Sequence, residues 1–173
     1  LTFADVTDVS NTGGDSRWML GTTVCDINND GWKDIIVANG NDIYRQHLVV
    51  YYNNGDGTFP MDPSWQSDDI DYHGHLSAGD VDNDGDVDIA VSVYLGAGGF
   101  STPGKVKVYY NLGEELESIP SFESESFYSF SCALGDADGD GDLDIAAACG
   151  EPYNSIYEYG RVFINNNGNF STN

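Results

Sequence analysis

A chain of 173 residues is long enough for one ordinary domain with a sizeable core. Its 29 Asp and Glu against 6 Lys and Arg leave a formal net charge of −23, a field that excludes nucleic acid and anionic membrane surfaces as partners. So much acid usually means disorder, but 40% hydrophobic and 13% aromatic residues can fill a core. No apolar run approaches the roughly 20 residues that span a bilayer, so membrane insertion is not expected. The chain begins at Leu1 without a Met and reads as a processed or excised piece of a longer product.

In chain order, the first strand-like segment is residues 3–7. A strand at 18–24 then leads into Asp26-Ile27-Asn28-Asn29-Asp30-Gly31-Trp32-Lys33-Asp34, and the apolar run 35–38 follows. Residues 48–52 end at the turn signal Asn53-Asn54-Gly55 of the element Tyr51-Tyr52-Asn53-Asn54-Gly55, and a short segment around Trp65 closes the unit. The same order returns twice. Strand 76–79, the loop from Asp80 to Asp88, runs 89–94 and 106–110 and a segment at Phe122 make the second unit. Strand 131–135, the loop from Asp136 to Asp144 and runs 145–149 and 161–164 make the third. The loops start 54 and 56 residues apart. Four short strands in a repeat of this length are the signature of a β-propeller blade.

The expected fold is therefore all-β: three four-stranded antiparallel blades in a permuted frame. Residues 1–17 would be an N-terminal donor or closing strand and loop, 18–67 the first blade, 68–124 the second and 125–173 an incomplete third. In that frame residues 3–7 are a strand with no blade before them, and the third blade lacks its fourth strand. Three blades cannot close a propeller. The chain would thus join further blades of a longer chain, or copies of itself by donating that strand head to tail into a ring or filament.

The loops read D-x-[DN]-x-D-G-x-x-D, with side-chain oxygens at positions 1, 3, 5 and 9 and a sharp turn at Gly 6. Oxygen ligands at this density suit Ca²⁺, and the backbone carbonyl at position 7 (Trp32, Asp86, Asp142) is a further candidate ligand. An EF-hand needs a Glu at position 12 and flanking helices; here position 12 is Val37, Val91 and Ala147, between strands. With these loops the sequence resembles the FG-GAP/VCBS-type repeats of integrin α-chain propellers and many bacterial surface proteins. The resemblance implies calcium at Asp26, Asn28, Asp30 and Asp34; at Asp80, Asp82, Asp84 and Asp88; and at Asp136, Asp138, Asp140 and Asp144. The family's Phe-Gly and Gly-Ala-Pro signatures are degenerate here, Gly150-Glu151-Pro152 being the nearest remnant. Asn28 replaces a carboxylate, so the first site should be the weakest. Extracellular modules bind calcium at about 10⁻⁴–10⁻³ M, which places the protein outside the cell or on its surface.

Other chemistry is sparse. His73 and His75 lack a third metal-ligating neighbour, and Ser77 with His75 has no nucleophile elbow, so an enzyme is not expected. If Gly135 faced Ala146 across the third loop, Cys132 would face Cys149 and a cross-strand disulfide would form; otherwise both are buried thiols, and Cys25 is a small core residue. The loops away from the Asp turns carry Tyr44, His47, Tyr72, Phe100, Tyr153, Tyr157 and Tyr159, suited to stacking on a glycan or to a surface protein, or else to anchoring the loops. The expected role is an extracellular calcium-binding structural subunit that self-assembles head to tail; the alternative is a fragment of a longer propeller acting as an adhesion or carbohydrate- or protein-recognition module.

Overall fold

The computed structural model describes residues 19–172 except 114, 152 and 154. The strand expected at residues 3–7 lies outside them. Twelve strands make three sheets of four. The first holds β1 (Met19–Cys25), β2 (Asp34–Gly40), β3 (Arg45–Tyr51) and β4 (Trp65–Gln66). The second holds β5 (Tyr72–Gly79), β6 (Asp88–Leu95), β7 (Pro103–Tyr109) and β8 (Phe122–Glu123). The third holds β9 (Ser129–Gly135), β10 (Asp144–Cys149), β11 (Arg161–Asn166) and β12 (Asn169–Thr172). Each sheet is an antiparallel meander in sequence order, and the described residues contain no α-helix.

The sheets pack face to face, and the hydrophobic pattern says where. Ile36, Ala38, Leu48 and Val50 of the first sheet meet Ile89, Val91 and Tyr109 of the second, all of them fully buried. The opposite face of the second sheet, through Ala90, Val106 and Val108, meets Cys132, Ile145, Ala147 and Phe163 of the third. Strand β6 is consequently buried along its whole length, as its unbroken apolar run predicts. Strand β10 departs from that expectation: Ala146 and Ala148 are exposed, because no described sheet covers the far side of the third sheet. The first strands lie side by side, β1 against β5 and β5 against β9.

Two expectations are corrected. The third sheet is not missing its fourth strand, because Asn167 (φ 50°) and Gly168 (φ 83°) form a two-residue reversal and β12 pairs directly with β11, Asn166 opposite Asn169. An Asn-Gly pair takes positive φ at both positions at little cost, so this hairpin needs no long loop. The first two sheets instead use the 52–64 and 110–121 connections to reach β4 and β8. The disulfide does not form either. Gly135 pairs with Asp144, not Ala146, so Cys132 faces Ala147 and Cys149 faces Ser129. All three cysteines are free thiols.

Candidate metal centres

Each Asp loop joins the first two strands of its sheet. The residue just before the loop pairs with the loop's ninth, Cys25 with Asp34, Gly79 with Asp88 and Gly135 with Asp144. That pairing roots position 9 in the sheet, where Asp34, Asp88 and Asp144 are at most 1% exposed. Position 1 caps the turn. Asp26, Asp80 and Asp136 each accept the N–H of Gly31, Gly85 and Gly141, at 2.9, 3.1 and 3.2 Å. Those glycines sit at φ 90°, 99° and 101°, a conformation that costs a residue with a Cβ and costs glycine nothing. Position 5 turns onto the loop's own backbone: Asp30, Asp84 and Asp140 accept the N–H of Trp32, Asp86 and Asp142, at 2.8–2.9 Å.

What converges is narrower than the sequence pattern. The carboxylates of Asp80, Asp82 and Asp88 lie within 4.8 Å of one another, as do those of Asp136, Asp138 and Asp144. Positions 1, 3 and 9 thus form the compact group, with position 5 outside it. In the first loop Asn28 takes position 3, where its amide bonds Asp30 at 3.0 Å, and no such group of three carboxylates forms among its described residues. Packed carboxylates strain against their own charge. Burial pushes Asp88 up to about 6, and burial followed by the neighbouring Asp84 raises Asp82. Burial raises Asp34 as well. A hard divalent cation supplies the opposite charge that such a donor set lacks, and oxygen-only sites favour Ca²⁺.

A further set of residues completes each site, and the sequence reading missed their role. The backbone N–H of Asn53, Asn111 and Asn165 donates to the position-9 carboxylates Asp34, Asp88 and Asp144, at 2.9, 2.8 and 2.8 Å. These are the asparagines of the recurring Tyr-Tyr-Asn or Phe-Ile-Asn element. Their threefold recurrence was the available signal. Position 4 adds a link between loops: Asn83 donates to Asp142 at 2.8 Å, and Asn29 donates to Asp86.

The aromatic residues sit at the other end of the strands, in the connections following β2, β6 and β10. Phe100 and Tyr153 come together, ring centroids 5.6 Å apart. Tyr94 and Phe130, which the sequence reading did not single out, join them with centroids 4.6 Å apart. Leu20, His75, Tyr94, Phe130 and Tyr153 line a cavity of about 170 Å³ beside Asp42. Tyr157 and Tyr159 are 93% exposed, and Tyr44 is exposed too. Two nominated residues serve the fold. The His47 ring bonds the carbonyls of Ser67 and Asp69, at 2.6 and 3.0 Å, and Tyr72 packs against Tyr94, Leu95 and Tyr128. The two histidines part company. His73 is fully buried against the Asn39 carbonyl at 2.7 Å, whereas His75 is exposed. Ser77 accepts the Leu134 N–H at 3.2 Å.

Three meandering sheets whose first turns are acidic, glycine-hinged loops define an all-β repeat protein. A family model described as an FG-GAP-like repeat matches residues 26–91, which span the first two loops and the strands between them. That segment is similar to FG-GAP-type repeats, as the loops led one to expect. A search of the curated proteins finds no match. No helix among the described residues is long and apolar enough to cross a membrane.

Proposed function

We propose that the three sheets are adjoining blades of an extracellular, calcium-stabilised β-propeller that acts as a non-enzymatic adhesion or recognition module. The observation that carries this reading is the repeated convergence of unneutralised carboxylates at positions 1, 3 and 9, in loops of the FG-GAP type. Asp80, Asp82 and Asp88 hold the second ion, and Asp136, Asp138 and Asp144 the third. Asp26, Asn28 and Asp34 hold the first more weakly. When bound, Ca²⁺ offsets the mutual repulsion of these groups and fixes the turns. Phe100, Phe130 and Tyr153, exposed around the buried Tyr94, are the surface offered to a glycan or a surface protein.

Thermal unfolding tests the metal. At roughly 2 mM free Ca²⁺ and a Kd near 10⁻⁴ M the second and third sites each add about 1.8 kcal/mol, so together they raise the melting temperature by on the order of 10 °C over the chelated protein. Equal melting temperatures with and without chelator would refute the reading.

A second reading, self-assembly, draws on a different observation: the exposed Ala146 and Ala148 on the far face of the third sheet. Strand donation into that sheet has no vacancy to enter, since β12 occupies the fourth position. Assembly would instead pack this face against another sheet.

A further inference from the structure

The three loops are wired together through the protein interior. In the first loop the Ile27 N–H donates to Asp34 at 3.0 Å, and the carbonyl of the same residue accepts the Asn111 side-chain amide at 2.6 Å. The Asn111 backbone N–H then donates to Asp88 of the second loop at 2.8 Å. The pattern repeats one sheet further on. Val81 N–H donates to Asp88 at 2.7 Å, and the Val81 carbonyl accepts the Asn165 amide at 2.6 Å. Asn165 N–H in turn donates to Asp144 at 2.8 Å, which also accepts Ala137 N–H at 2.7 Å. Ile27 and Val81 are at most 2% exposed, and Asn111 and Asn165 at most 4%. Asp34, Asp88 and Asp144 are thus linked in a relay, each step running through two shared buried residues, Ile27 with Asn111 and then Val81 with Asn165. Asn53 makes the same backbone bond to Asp34, but its amide turns to Lys33 of its own sheet at 3.1 Å. The Asn165 amide makes the matching bond to Leu143 at 3.1 Å besides its bond to Val81, so among the described residues the relay runs from the first loop to the third.

We infer that Asn111 and Asn165 are positioning residues that couple neighbouring cation sites, so that an ion in one loop raises the affinity of the next. This rests on the calcium reading above. An ion that fixes one buried carboxylate also takes up part of the ordering cost of the asparagine it shares with the adjoining loop. The coupling is reciprocal.

Trp32 at position 7 of the first loop is a built-in reporter. Terbium, an oxygen-seeking stand-in for Ca²⁺, bound there is sensitised by selective tryptophan excitation, with a Trp32→Phe protein subtracting the other tryptophans. Asp82→Ala weakens the second site at a ligand outside the relay. It should lower first-site terbium affinity by on the order of 5-fold. In an Asn111→Ala background the same change should leave that affinity unmoved. A shift of equal size in both backgrounds would mean that through-space electrostatics or the Asn29–Asp86 bond carries the coupling, and would overturn the relay. Retained Trp32-sensitised signal with no Asp82→Ala shift in the otherwise native chain would overturn it too, and that arm stands even if Asn111→Ala does not fold. Absence of all terbium signal and of calorimetric calcium heat would instead sink the cation reading, and the coupling with it.

Discussion

Asp88 sits wholly inside the protein with two backbone N–H groups on its carboxylate, and burial still lifts its pKa from 3.8 to about 6. The folded chain free of calcium therefore holds a proton that the unfolded chain gives up near 3.8. Between those values the native state binds more protons, so stability falls as pH rises through the window, and the whole penalty is present above about 6. Asp34 and Asp82 are raised too and act with the same sign. Calcium reverses the balance, because it binds the ionised form. Ion-free protein should thus melt at a higher temperature at about pH 5 than at pH 7.5, with the order inverted in millimolar Ca²⁺. Asp88→Asn should shrink the calcium-free difference, and a flat calcium-free profile would contradict the account. Lys107 shows the opposite arrangement: its ammonium lies between Asp69 and Asp71, at 2.5 and 2.6 Å, and holds Asp69 below the usual carboxylate range against the effect of burial.

At the scale of the element, the turn at Asn167–Gly168 decides the third sheet. Gly168 combines φ 83° with a tight surrounding, since a Cβ there would stand 3.0 Å from Asp82 Cβ, and its carbonyl accepts the Tyr110 hydroxyl at 2.9 Å. Gly168→Val should cost roughly 1–2 kcal/mol from backbone conformation alone, with further loss from crowding at Asp82. Chemical denaturation would read it, and an unchanged midpoint would show that β12 contributes nothing. The β2, β6 and loop positions were legible in the sequence because buried apolar runs and glycine-hinged Asp clusters are local signals. Strand β12 is not legible in the sequence because its Asn-Gly reversal reads equally well as the end of the unit and as a hairpin. The pairing of Cys132 was misjudged by two residues because register depends on where the loop's ninth residue pairs, and Gly135 opposite Asp144 sets it. The asparagine relay was illegible for a stronger reason. Its bonds join residues 84 positions apart, Asn111 to Ile27 and Asn165 to Val81, so repetition could flag those asparagines but not name their partners.

For the whole molecule the question is what meets the far face of the third sheet. In the first two sheets the equivalent positions Ile36, Ala38, Ala90 and Ser92 are fully buried by the next sheet, whereas Ala146 and Ala148 are exposed. The face carries no charged side chain at Ala146, Ala148, Val162 or Ile164, within a chain whose net charge is −23. Repulsion of that size opposes association of two copies, and three bound Ca²⁺ ions would reduce it while stiffening the loops at the sheet's edge. If the self-assembly reading holds, association through this face should require calcium and strengthen with salt. Light scattering in millimolar Ca²⁺ should then give a mass above that of one chain, falling to one chain in excess chelator. Ala146→Glu should hold the single-chain mass in calcium without loss of thermal stability, because the residue already faces solvent. A single-chain mass in calcium for the unaltered protein would rule out assembly. The face would then belong against a further sheet of a larger propeller, which leaves the aromatic end, around Phe130 and Tyr153, as the surface to test for a glycan or protein ligand.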